Sequence, residues 1–470
     1  MRQTFRALRL FSFCLAWSAL ANGQSLDWAK ADDELLRHFQ ALIRIDTTDP
    51  PGNETKAVNY IKGVLEAEGI PVTVAAKDPT RANLIARIKS NGSKRPILLM
   101  GHTDTVRVDP SKWTFPPFSA TRDGGYIYGR GALDNKWQVA AGMMTLLLLK
   151  RGNVALDRDV IFVAEAGEEA ATAPGIEYLV NERWAEIEAE ACLAESGSVR
   201  RENGRTRFAL VQTGEKMPKG ARLLAKGPAG HGSRPMRTSA ILHLSEAVEK
   251  IALWDPPMRL NDTTRTYFEK LAALGTPEEA ERFKGLFDAA KAPAVREYLA
   301  EHDPGNYSML HTSISPDIIS GGFQINVVPS QAEATLDIRA LPDENMPVFY
   351  DMMRKVINDP NVEVIPESKN ERPGALPSRT DTEIYRAIES ANRNVFQVQT
   401  IPEMSTGATD MAFLRAKGMQ CYGVGSISEA EDAVKGFAAH SDQERMLEDS
   451  LYKFLRFQWD VLSSVAMTKK

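Results

Sequence analysis

The chain has 470 residues, 43% of them apolar and 25% charged, with a formal net charge of −5. That length exceeds the usual single-domain range and predicts two domains, and the composition excludes a mostly disordered protein. The acidic balance argues against nucleic acid and anionic membrane as partners.

The first 21 residues hold Arg2, Arg6 and Arg9, an apolar stretch from Leu8 to Leu20, and then Ala19-Leu20-Ala21. This is the pattern of a secretory signal with an A-x-A cleavage site. A membrane anchor is the alternative, disfavoured because the stretch falls short of the roughly 20 residues a span needs. Losing those three arginines takes the formal charge from −5 to −8. The mature protein is therefore expected to be exported, periplasmic or secreted, without membrane association once the signal is removed. Only Cys192 and Cys421 remain in it. Their apolar, strand-like surroundings predict buried free thiols, with a single bridge as the alternative in an oxidising compartment.

Residues 27–44 have the 3.6-residue rhythm of an amphipathic helix, with Leu35, Leu36, Phe39, Leu42 and Ile43 on one face. A turn over 47–53 leads to a second helix over 54–68, which Gly69 stops. Strands are expected at 72–76, 83–89 and 96–101, and residues 137–150 form an almost wholly apolar, buried helix. Short apolar runs precede His102, Glu168 and Glu195, and they read as buried strands of an α/β sheet. Ligands at such strand ends converge on one rim, where open α/β sheets place their sites.

From about residue 215 the pattern changes. A polar joint over 213–220 is followed by a strand at 221–226, the segment Gly230-His231-Gly232-Ser233, and a helix over 238–253. Residues 255–305 are charged and helix-rich, reading as an insertion. Strands at 309–313 and 332–339, a helix at about 344–357 and a strand at 362–365 complete a strand-helix-strand-strand-helix-strand series. Residues 367–380, rich in Pro, Gly and Ser, read as a linker back to the first domain. The expected fold is α/β: a catalytic domain with a mixed, mostly parallel sheet flanked by helices (22–215 and 360–470), plus an inserted smaller α+β, ferredoxin-like, lid or dimerisation domain (216–359).

His102, Asp104, Asp134, the Glu168-Glu169 pair, Glu195 and His440 together look like a two-metal hydrolase site. Carboxylates and imidazoles suit zinc and similar divalent ions. A carboxylate such as Asp134 can bridge two ions roughly 3.5–4 Å apart.

These stretches carry a resemblance: Met100-Gly101-His102-Thr103-Asp104-Thr105-Val106, residues 113–118, 128–136, Gly167-Glu168-Glu169, Gly230-His231-Gly232-Ser233, Asn326-Val327-Val328-Pro329, Gly407-Ala408-Thr409-Asp410 and Ala439-His440-Ser441. In that order the chain resembles the zinc metallopeptidases and amidohydrolases that include glutamate carboxypeptidase, aminoacylase, acetylornithine deacetylase and succinyl-diaminopimelate desuccinylase. The resemblance runs through nearly all of the mature chain.

It implies two Zn2+ ions, with Co2+ as a possible substitute: His102 and Glu195 on one, Glu169 and His440 on the other, and Asp134 bridging. Asp104 would accept the imidazole proton of His102 and fix its tautomer. Glu168 would be the general base, taking a proton from the attacking water and handing it to the departing amine. His231, from the second domain and often supplied by the partner subunit of a dimer in this family, would stabilise the oxyanion. Arg339, whose planar fork suits a substrate carboxylate and whose rival reading is a structural salt bridge, joins Asn326, Gly407 and Thr409 as expected substrate contacts. His38, His243 and His302 read as structural, and His311 has no assigned role.

Three departures concern loop shape. Gly167 stands where the family usually has an acidic residue, residues 170–175 replace a Gly-Ser-rich segment, and Asn135 replaces the commoner Met. The expected function is hydrolysis of an amide bond next to a free carboxylate, on a small peptide or an N-acyl amino acid. A deacylase dedicated to one biosynthetic intermediate is disfavoured by the export signal, and a non-catalytic binding protein by the retention of Glu168 and His102. Two oligomeric states stay open: a homodimer through the inserted domain, which resembles a dimerisation domain, or a monomer in which the charged stretch at 255–305 covers that surface.

Overall fold

The computed structural model describes residues 26–367 and 372–468; the signal segment expected over residues 1–21 lies outside them. Helix α1 (Trp28–Ile43) starts at Asp27, whose carboxylate accepts from the Lys30 amide at 3.2 Å, the usual N-cap bond. Helix α2 (Glu54–Ala67) gives way to Gly69 at φ +68°, a conformation that favours glycine. Next come β1 (Val72–Ala75), β2 (Asn83–Ile88), β3 (Ile97–His102), β4 (Thr121–Asp123), β5 (Tyr126–Tyr128) and α3 (Lys136–Arg151). They are followed by β6 (Val160–Glu165), α4 (Ile176–Glu182), α5 (Trp184–Ile187), β7 (Ala191–Ala194), β8 (Ser198–Glu202) and β9 (Arg205–Glu215). The middle of the chain holds β10 (Met217–Lys226), β11 (Gly230–His231), α6 (Ala240–Ala252), α7 (Asp262–Leu274), α8 (Pro277–Gly285), α9 (Ala292–His302) and α10 (Pro304–Ser308). It continues through β12 (Ser313–Gly321), β13 (Val327–Val328), β14 (Gln331–Ala340), α11 (Met346–Ile357) and β15 (Val362–Glu367). The last part is α12 (Glu383–Ala391), β16 (Gln399–Ser405), α13 (Met411–Ala416), β17 (Gln420–Gly423), β18 (Ile427–Glu429), α14 (Ala430–Lys435), β19 (Arg445–Leu447) and α15 (Glu448–Val465).

A ten-stranded mixed sheet runs β1-β2-β6-β3-β7-β17-β9-β8-β18, with β16 also on β9. Its centre, from β6 through β3 and β7 to β17, is parallel. Side chains alternate across it as the two-residue strand period requires. Leu99, Phe162 and Leu193 enter the core beneath α1, α3 and α15, while Leu98, Ile161, Val163 and Cys192 enter the one beneath α4 and α13. With both faces covered, the central strands are apolar throughout. Helix α3 is buried from Lys136 to Leu149. Cys192 and Cys421 face each other across β7 and β17 as buried free thiols.

The smaller sheet has the order β12-β14-β10-β15, all antiparallel, and with α6 and α11 on one face it has the ferredoxin-like βαββαβ order. Three sequence expectations are corrected here. Strand β15 pairs with β10 from Ala225–Val362 to Gly220–Glu367, so the smaller unit runs past the boundary set at 359. No strand forms over 309–312: Met309 and Leu310 are buried among the inserted helices, and the strand begins at Ser313. Those helices, α7 to α10, lie over β16, where Phe268, Leu286 and Leu299 share a cluster with Ile401 and Met404, not over the smaller sheet.

His311 lies where the insertion meets β12. It is buried, its ring centroid is 4.4 Å from that of Tyr307, and its Nδ1 has no hydrogen-bond partner among the described residues. Burial, then the charges of Lys216 and Arg296, push its imidazole from 6.5 down to about 3. The unfolded chain therefore binds more protons between those values, and stability is lost as pH falls through that window, by at most about 1.4 kcal/mol per pH unit. The urea unfolding midpoint of wild type should fall more steeply towards acid pH than that of His311→Phe. Parallel losses in the two proteins would refute this.

Candidate metal centre

The end of each central strand delivers one part of the site. His102 is the last residue of β3, Glu165 ends β6 just ahead of Glu168 and Glu169, and Glu195 follows β7. Asp134 stands in the loop before α3, and His440 in the segment between α14 and β19. A buried pair fixes these last two together. Arg130 donates to Glu444 Oε2 at 2.5 Å and to the carbonyls of Ser441 (3.1 Å) and His440 (3.4 Å). Glu444 Oε1 in turn accepts from the amides of Leu133 (2.6 Å) and Asp134 (3.2 Å). Residues some three hundred positions apart are thus held in register by one ion pair inside the protein.

The donor atoms form two sets of three, His102 with Asp134 and Glu195, and His440 with Asp134 and Glu169. His102 Nε2 is 2.9 Å from Asp134 Oδ1 and 3.2 Å from Glu195 Oε2. His440 Nε2 is 3.2 Å from Asp134 Oδ2 and 3.0 Å from Glu169 Oε2. Around an ion with bonds of about 2.0–2.1 Å, tetrahedral ligand atoms stand about 3.3 Å apart, so both sets have the right spacing. The two imidazoles address different oxygens of one carboxylate, which is the arrangement of a bridging ligand. Each set supplies three donors, leaving a position open, as catalytic sites do.

The electrostatics favour cations in these positions. Burial, then the charges of Glu195 and Asp410, push the Glu168 carboxyl well above the usual carboxylate range. Burial also raises Glu169. Burial opposes protonation of His102, but Glu195, Asp104 and Asp134 outweigh it and push the ring well above its usual value. Carboxylates crowded in a dry cleft are what a divalent ion relieves.

Asp104 does more than the sequence suggested. Its Oδ1 is 3.4 Å from His102 Nδ1, whose closer contact is the Asp104 carbonyl at 3.1 Å. The same carboxylate accepts from the amides of Glu168 (3.2 Å) and Glu169 (2.9 Å). One side chain therefore orients a donor of one set and the turn carrying a donor of the other. Behind it, Asp49 and Glu54 are both held by Arg81, at 2.5 and 2.6 Å. Gly167 is at φ +78°, and a Cβ there would come within 2.2 Å of Ala171 O. The loop over 170–175 therefore occupies the space a side chain at 167 would need.

The set opens into a cleft of about 1000 Å³ between the two sheets, lined by Asp134, Glu168, Glu169, Glu195 and His440 on one wall and by Lys219, Asp317 and Arg339 on the other. Arg339 lines it with Nε bonded to Asp337 at 3.0 Å. Gly407 and Thr409 also line it, the Thr409 hydroxyl being committed to Glu215 at 2.7 Å. His231 and Asn326 do not line this cleft. They lie next to each other on the smaller unit, where His231 pairs with Val327 and the Gly232 amide donates to Asn326 O at 2.8 Å. Arg372 and Asp410, absent from the expected site, belong to it: Arg372 bonds Glu168 Oε1 at 2.9 Å and Asp410 Oδ1 at 2.8 Å.

Comparison with known proteins agrees with this geometry. A model of peptidase family M20/M25/M40 matches residues 98–463. A probable succinyl-diaminopimelate desuccinylase of Staphylococcus aureus is 27% identical over 387 residues, covering 81% of this chain and 87% of that protein. Among solved structures, the M20 family metallo-carboxypeptidase of Sulfolobus solfataricus superposes with a TM-score of 0.68 at 19% identity, covering 92% of this chain and 99% of that one. A dinuclear metal-binding peptidase of Bacillus subtilis gives 0.59 at 15%, covering 93% of this chain and all (100%) of that one. At such identities the structural likeness speaks for the fold.

Proposed function

The chain belongs to peptidase family M20/M25/M40, and from that premise we propose that it is an exported dizinc hydrolase cleaving an amide bond next to a free carboxylate. Its substrate would be a small peptide or an N-acyl amino acid. The observation carrying this reading is the pair of three-donor sets sharing the two oxygens of Asp134. When bound, the ions supply an acidified water and a polarised carbonyl. Glu168 takes the proton of the attacking water and returns it to the departing amine. Asp104 holds the Glu168-Glu169 turn through both amides. Arg339, on the opposite wall of the cleft, receives the substrate carboxylate.

A desuccinylase-type deacylase remains the second reading, supported by the Staphylococcus aureus relative. A screen of N-acyl amino acids, dipeptides and N-succinyl amino acids, each with and without the free carboxylate, separates the two. Turnover confined to succinylated substrates would overturn the first.

The oxyanion donor is His231, acting in the cleft of a partner subunit. This is supported by its place outside its own chain's cleft and by the apolar side chains exposed on the same unit: Ile319 on edge strand β12, with Phe323 and Ile325 beyond it. In a two-fold dimer one chain's Glu168 would work with the other's His231. Mixing inactive Glu168→Gln and His231→Ala chains after dissociation should then recover about a quarter of wild-type activity, because half of randomly mixed dimers are hybrids with one intact site each. No recovery in hybrids shown to have formed would contradict the shared site.

A further inference from the structure

Glu168 is held at three points. Its amide donates to Asp104 Oδ1, and its carbonyl (3.0 Å) and carboxylate Oε1 (2.9 Å) both accept from Nη2 of Arg372. Binding both the main chain and the end of the side chain of one residue closes a ring that fixes the glutamate's rotamer. Nη1 of Arg372 is anchored on Asp410 Oδ1 at 2.8 Å. Asp410 is buried, and its Oδ2 has no hydrogen-bond partner among the described residues. An ionised carboxylate in that position is costly unless a cation is paired with it, so Asp410 and Arg372 are bound to remain together. The arginine comes from the segment that returns the chain from β15 to α12, while the neighbouring Thr409 is held by Glu215, the residue where β9 leaves for β10.

We propose that Arg372 is a positioning residue for the general base: it holds Oε1 of Glu168 and leaves Oε2 to address the attacking water. The inference rests on Glu168 being that base. A flexible glutamate loses rotamer freedom when fixed, and here the fixing precedes substrate. The rival role, a ligand for the substrate carboxylate, fits the charge balance poorly. One guanidinium lies between two carboxylates, both of its terminal nitrogens are engaged, and an anionic group would have to displace Glu168 or Asp410.

The test compares wild type with Arg372→Ala and Arg372→Lys, using a dipeptide that the wild type hydrolyses. Misplacing a reacting group by about 1 Å costs on the order of 100-fold in rate. The expectation for Arg372→Ala is therefore a fall in kcat of about 100-fold, with KM, the inhibition constant of the product amino acid and the metal content unchanged. Free guanidinium should restore part of the kcat of Arg372→Ala, and Arg372→Lys, which keeps the charge but not the fork, should fall between. The proposal is overturned by a rise in KM and in the product inhibition constant at preserved kcat, which marks a substrate ligand. It is equally overturned by unchanged kinetics with lowered thermal stability, which marks a structural tie. Should Glu168→Gln keep full activity, the base assignment itself fails; should that variant be inactive while Arg372→Ala is not, only the positioning role fails.

Discussion

Replacing Glu168 with Gln is expected to lower kcat by about 10³- to 10⁴-fold, the upper range for a positioned general acid-base, while two ions per chain remain bound. The two effects separate because Glu168 is in neither donor set. Its main chain is fixed by Asp104 and Arg372, and glutamine keeps the shape and one acceptor oxygen while losing the ability to accept a proton at neutral pH. Metal analysis by mass spectrometry beside steady-state kinetics checks both halves. A variant with wild-type turnover would remove Glu168 from the chemistry, and one that lost its metal would make it a ligand.

Removing the metal is expected to have an effect of the same order or larger, and to lower stability as well as activity. Among the described residues, the ion-pair partners of Asp134, Glu169 and Glu195 are the two imidazoles, with Glu168 close by in a site that burial keeps dry. Burial raises the carboxyls of Glu168 and Glu169, so without cations these two take up protons more readily. Ions that bind the folded state and not the unfolded chain add stability by mass action. Chelated protein should therefore melt at a lower temperature and hydrolyse nothing above background, and zinc should restore both. Recovery of activity without recovery of the melting temperature would separate the ions from this carboxylate cluster.

Much of this was legible in the sequence because the relevant signals are local. The apolar runs ending at His102 and Ala194 gave strands whose alternate residues enter two cores, and metal-ligand residues at their ends follow from the topology of an open sheet. The βαββαβ order of the second unit was readable from periodicity in every element but β12. Strand β12 was misplaced because it is an exposed edge strand carrying Pro316 and an irregular register at Asp317, so it lacks the apolar alternation that marked its partner β14. The buried Met309-Leu310 pair, which looked like a strand, instead closes the helical insertion.

The residues that aim the site were the harder part. Arg372 lies in a stretch rich in Pro and Gly that has every mark of a linker, and only the fold brings it to Glu168. Glu444, four residues beyond His440, carries no motif of its own. Its importance appears once Arg130 and the amides of Leu133 and Asp134 are seen to converge on it. A residue that binds metal is constrained by chemistry and announces itself by type; one that orients a ligand can be any partner of suitable charge and reach.

The claim that two ions share Asp134 is tested most directly by titrating zinc into chelated wild-type protein while counting bound metal and following dipeptide hydrolysis. Two ions per chain, with activity reaching its plateau only as the second site fills, is the predicted result. A plateau at one ion per chain, or full activity in protein confirmed to be free of metal, would contradict it.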